Sequence, residues 1–109
     1  MQTDLLDFEQ FNGFIQSNRT AVVYFSTPDC NVCKVLKPKV MELLKEDFPK
    51  FTFGYVDCDS NKITAAQNSV FTVPTLIVFA EGKEVLRKSR NIGLAELNEE
   101  ISRINSFFD

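Results

Sequence analysis

The segment Ala21-Val22-Val23-Tyr24-Phe25-Ser26-Thr27-Pro28-Asp29-Cys30-Asn31-Val32-Cys33 runs from an apolar stretch, through a break, to two cysteines with two residues between them. Residues 21–25 read as a buried strand, and residues 26–29 interrupt it. Beyond the first cysteine, Val32, Val35, Leu36, Val40, Leu43 and Leu44 recur at helical spacing. Cys30 therefore falls at a helix N-terminus, with Cys33 about one turn further in. That geometry brings the two sulfurs within bonding reach. It also offers the outer sulfur backbone N–H groups that have no partner inside the helix. Those groups and the helix dipole stabilise a thiolate, the reactive form of cysteine.

Working outward, Phe8, Phe11, Phe14 and Ile15 have helical spacing behind Asp7, a plausible N-cap. The pattern predicts a short strand over 3–6, a helix over 7–17, a turn at 18–20 and the buried strand over 21–26. A long helix then spans 31–47 with Pro38 inside it, where a kink is expected. A strand over 51–57, a short helix over 61–68 and a strand over 75–79 follow. A turn at 81–83 leads to a strand over 84–90, a hairpin signal that makes the last two strands antiparallel. Leu94, Leu97, Ile101, Ile104 and Phe108 mark a C-terminal helix. Strands alternating with helices, closed by a hairpin and a helix, indicate an α/β sandwich on a mixed sheet.

The 109 residues, 44% of them hydrophobic, are read as one domain over 1–109, long enough to bury a sizeable core. Eleven Phe and no Trp make that core phenylalanine-rich. The net charge is −3 and the cations are scattered, so no nucleic-acid footprint is read. No apolar run approaches a membrane span. The polar, acidic start shows no signal-peptide pattern, and a cytoplasmic location is expected. In that compartment a close cysteine pair is catalytic or metal-binding rather than a structural staple. Three cysteines with no histidine speak against zinc, which wants four ligands. Redox use of the pair is the reading carried forward, with no metal site.

These residues together resemble the thioredoxin family over nearly the whole chain. The resemblance rests on Cys30-Asn31-Val32-Cys33 after an apolar strand, Pro38 in the following helix and Val73-Pro74-Thr75 before the hairpin. Gly82 at the hairpin turn and Gly93 before the last helix also fit. The resemblance implies a thioredoxin fold, an α/β architecture with a mixed central sheet and helices on both faces. It implies a protein-disulfide oxidoreductase in which Cys30 is the exposed nucleophile and Cys33 the buried resolving thiol. Pro74 would be a cis-proline facing the cysteines. Val73 would offer backbone hydrogen bonds to an extended substrate, and Gly93 would leave room for it. No bound cofactor is implied. Electrons would come from an external NADPH-dependent enzyme such as a thioredoxin reductase, and a monomer would act on disulfide-containing proteins. The chemistry agrees: a Cys30 thiolate attacks a disulfide, and Cys33 then attacks Cys30 and releases the reduced substrate.

Departures from the family pattern are as informative. Asn31-Val32 stands where Gly-Pro is usual. Asp29 replaces a Trp beside the substrate groove, and its charge, if close, opposes a Cys30 thiolate. Ser26 replaces a second aromatic. A buried Asp and its neighbouring Lys are replaced by Tyr24 and Tyr55, expected as neighbours on adjacent parallel strands. Losing both members of a buried pair leaves no unpaired charge. The tyrosines are either core aromatics with hydrogen-bonded tips or a floor that takes over from the carboxylate relay, with water or a phenol deprotonating Cys33. Lys34 is solvated or offsets the charge beside Cys30. Cys58 reads as a small buried hydrophobe, with a regulatory thiol as the alternative. The Arg87-Lys88-Ser89-Arg90 cluster reads as a charge-protected sheet edge. Rival functions are a thioredoxin-fold protein-binding module, a more oxidising isomerase-like protein, or metal handling through the cysteine pair of a dimer.

Overall fold

The strand Thr20–Ser26 (β2) is buried along its whole length, and its alternate side chains feed two separate cores. Val22 and Tyr24 face one side, Val23 and Phe25 the other. A strand apolar on both faces has to be covered on both, and here helices do it. The computed structural model describes residues 2–108. Around β2 it places β1 (Gln2–Asp4), α1 (Phe8–Ser17), α2 (Asn31–Asp47), β3 (Thr52–Asp57), α3 (Lys62–Gln67), β4 (Thr75–Ala80), β5 (Lys83–Ser89) and α4 (Leu94–Asn105).

The five strands lie in the order β1-β3-β2-β4-β5. The β1–β3 and β3–β2 pairs are parallel, and β2–β4 and β4–β5 are antiparallel. Val40 and Leu44 of α2, with Leu97 and Ile101 of α4, pack on the Tyr24 face. Phe11 and Ile15 of α1, with Ala65 of α3, pack on the Phe25 face. Each of the larger aliphatic and aromatic side chains among them is worth roughly 1.5–3 kcal/mol of transfer free energy when fully buried, so the two cores fix which helices flank the sheet. The result is the thioredoxin fold, a mixed sheet with helices on both faces.

The local devices agree with this. The Asp7 carboxylate accepts from Gln10 N–H at 2.8 Å and caps α1. Asn61 caps α3 through Thr64 N–H, and its amide donates to Leu5 C=O at 3.1 Å, tying α3 to the end of β1. Gly54 on β3 lets α1 approach the sheet: a Cβ there would meet Phe14 at 2.8 Å and Leu5 at 2.9 Å. The β4–β5 turn uses left-handed Glu81 and Gly82, the pairing that suits a tight hairpin.

Some boundaries differ from the sequence reading. The first strand ends at Asp4 rather than at residue 6. Leu5 N–H still bonds Tyr55 C=O at 2.9 Å, but Leu6 turns out to solvent. The last helix ends at Asn105, so Phe108 lies beyond it, beneath the Arg19 guanidinium at 4.8 Å. Pro38 is held inside an unbroken α2.

Candidate active site

Where β2 ends, the chain makes a short loop and enters α2 with Cys30 as its N-cap residue. Cys30 N–H bonds Thr27 C=O at 3.2 Å, which closes the loop, and Cys33 N–H lies 3.2 Å from the Cys30 sulfur. The two cysteines form a disulfide with their Cα atoms 5.2 Å apart. The helix turn sets them apart in access: Cys30 is half-buried, whereas Cys33 is 1% exposed and belongs to the core under the sheet's α2 face. Reduction would leave the outer sulfur at a helix start, within reach of an orphan N–H group.

Beneath the pair, Tyr24 and Tyr55 stand opposite each other on β2 and β3. The buried Tyr24 hydroxyl donates to the Cys33 carbonyl at 3.0 Å. Burial, with the adjacent Tyr55 adding to it, pushes that phenol up to about 12. Tyr24 therefore keeps its proton and spends it on the backbone of the redox turn. The Tyr55 hydroxyl donates to Ser26 Oγ at 3.4 Å, and the Lys37 ammonium sits 4.4 Å above the Tyr55 ring.

Cys58 follows β3, and its N–H bonds Ser26 C=O at 2.9 Å. Burial, then the flanking Asp57 and Asp59 carboxylates, push its thiol up to about 11, far from a reactive thiolate. Asp29 and Lys34 are both exposed, on either side of Cys30 in sequence. Among the described residues no cluster of His, Cys, Asp or Glu could hold a metal.

The Val73–Pro74 peptide bond is cis, and Pro74 is buried. Its carbonyl accepts from Arg90 N–H at 2.9 Å, and Thr75 Oγ1 donates to Thr72 C=O at 2.7 Å. Among the described residues, no backbone group of Val73 is paired within the chain, which leaves its N–H and C=O available just before β4.

A cavity of about 900 Å³ opens between the first turns of α2 and the segment joining β5 to α4. Asn31 and Val32, the residues between the cysteines, line it, so it opens next to the redox turn. Gly93 lines it too, but as the N-cap of α4, and a Cβ there would meet nothing within 4 Å. The residue bonded to Pro74 is Arg90, in a left-handed conformation with φ of 62°. In the sequence, Arg90 reads as part of a charged strand edge. The signal that could have found it is the position one residue past the last strand, legible only once the hairpin register is known.

The site and the fold match known proteins along the chain. A family model described as thioredoxin matches residues 2–103. A thioredoxin of Chlamydia trachomatis is 38% identical over 97 residues, 89% of this chain and 90% of that protein. The thioredoxin-like protein YdfQ of Bacillus subtilis is 29% identical over 107 residues, 98% of this chain and 95% of that protein. The X-ray structure of Fasciola hepatica thioredoxin has a TM-score of 0.84 and 35% identity, covering 94% of this chain and 98% of that one. With matches that run nearly end to end and a cysteine pair seated where the central strand meets α2, the chain belongs to the thioredoxin family and is a thiol-disulfide oxidoreductase.

Proposed function

We propose that the chain works in the reducing direction, as a monomeric cytoplasmic dithiol that opens disulfides in other proteins. The observation that carries the reading is the asymmetry of the pair: Cys30 is half-buried at a helix N-cap, and Cys33 is buried one turn behind it. Only Cys30 can meet a substrate sulfur. Its thiolate attacks the substrate disulfide, forming a mixed disulfide and releasing one substrate thiolate. The Cys33 thiolate then attacks Cys30 Sγ, forming the intramolecular disulfide and releasing the second substrate thiolate. Two electrons pass from the dithiol to the substrate, and both leaving thiolates take protons from water.

The free backbone of Val73 beside Pro74 suits a substrate strand laid along it. The domain's own thiol chemistry needs no prosthetic group, and the electrons come from an external NADPH-dependent reductase.

The Cys33→Ser variant tests the division of labour. Presented with a disulfide-bonded protein, it accumulates a mixed disulfide through Cys30, while Cys30→Ser accumulates none. Trapping through Cys58 instead, or equal trapping by both variants, contradicts the assignment.

A further inference from the structure

The groove beside the disulfide carries a charge pattern that singles out a class of substrate. Its walls are apolar where α2 meets the β5–α4 segment: Val32 and Val35 are 62% and 60% exposed, and Ile92 faces them across the cavity. Three charged side chains line the same cavity, Lys39, Arg90 and Glu96. Glu96 is already neutralised by Lys88 Nζ at 3.0 Å. Among the described residues, Lys39 and Arg90 have no anionic partner. A protein of net charge −3 thus presents an uncompensated positive groove next to its redox pair.

Arg90 is the more telling of the two. The other cations of its cluster are engaged: Arg87 holds Glu84 at 2.8 Å, and Lys88 bridges Glu96 and Glu100. Arg90 alone of the three points its charge at no partner, and its backbone is held against Pro74 C=O with φ of 62°. That conformation favours glycine, asparagine or aspartate. A long cation kept in a strained backbone state at a substrate edge signals a role for the side chain.

We propose that this groove takes a substrate segment carrying acidic side chains beside its disulfide, with Arg90 and Lys39 as the selecting cations and the Val32–Val35 wall taking a neighbouring apolar residue. The proposal rests on the reductant reading above and names its substrate class. Opposite charge steers encounter and fixes which segment docks, while like charge is rejected.

The test uses two synthetic peptides, each closed by one internal disulfide. They are identical except that the residues flanking the first cysteine are Glu in one and Lys in the other. Reduced wild-type protein opens the Glu peptide about tenfold faster at low ionic strength, and the ratio collapses toward one in high salt. Arg90→Gly, which suits the left-handed backbone, lowers the ratio, and Arg90→Glu brings it to one or below. Lys62→Glu, which makes the same change in net charge on α3, keeps the wild-type ratio. Equal rates on both peptides, or a preference that survives both Arg90 variants, overturns the proposal and leaves the reductant reading standing. A concentration-dependent dimer that covers Val32 and Val35 also overturns it. Failure to reduce either peptide removes the reductant reading, and the proposal with it.

Discussion

Tyr24 shows how a single side chain here serves the fold and the redox turn together. Its hydroxyl is fully buried and donates to the Cys33 carbonyl, so it holds the first turn of α2 rather than acting as a base. Removing it in Tyr24→Phe costs about 1 kcal/mol at neutral pH. The pH dependence has a definite sign. The folded phenol keeps its proton to about 12, against 10.0 for the free group, so between those values the folded state binds more protons than the unfolded chain. Stability is intact below that window and falls as pH rises through it, by on the order of 2 kcal/mol. Urea unfolding in a Cys58→Ala background, chosen because that thiol titrates in an overlapping range, should show a steeper alkaline decline with Tyr24 than with Phe, the remainder belonging to Lys88, which its hydrogen bonds to Glu100 and Glu96 also keep protonated in the folded state. An undiminished decline in Tyr24→Phe would assign the titration to another group. Through the neutral range the same variant keeps the wild-type pH profile of the Cys33 thiol, since the phenol holds its proton there.

Among the elements, α2 was the most legible: a capping break, a long apolar period and Phe48-Pro49 beyond it give the same span, Asn31–Asp47, in sequence and structure. The strands β2 and β4 were nearly as clear, because buried parallel or central strands leave unbroken apolar runs. The two outer features were not. The hairpin carries an extra residue, Val85, between the Phe79–Glu84 and Val78–Leu86 pairs. A bulge of this kind is a property of two strands together and leaves no mark in one. It shifts every later residue of the strand by one, up to Arg90, whose N–H reaches Pro74 C=O. Val32 and Val35 share the helical period of the core positions yet face solvent, because the period marks a helix face and not what covers it. The packing of α1 on β3 yields a prediction at this scale. Gly54→Ala puts a methyl group within 2.9 Å of Phe14 and Leu5, and should destabilise by roughly 1–3 kcal/mol through overpacking. Chemical denaturation measures it, and a neutral result would mean that α1 is free to shift away from the sheet.

At the scale of the whole molecule, the sheet order brings three separate pieces of chain to one end: the β2–α2 junction with its cysteines, the loop before β4 with Val73–Pro74, and the β5–α4 segment with Arg90. The sequence and its family resemblance pointed to all three, through the cysteine spacing, the Val-Pro-Thr motif and Gly93, and only Arg90's place in the third emerged from the assembled sheet. The central claim, that this end of the molecule is a reductant, is a statement about the free-energy difference between dithiol and disulfide. The most direct measurement is the equilibrium reduction potential of the Cys30–Cys33 pair against a glutathione buffer. A reductant is expected to give a value near that of thioredoxins, about −270 mV. A value near about −180 mV, in the range of disulfide isomerases, would contradict it.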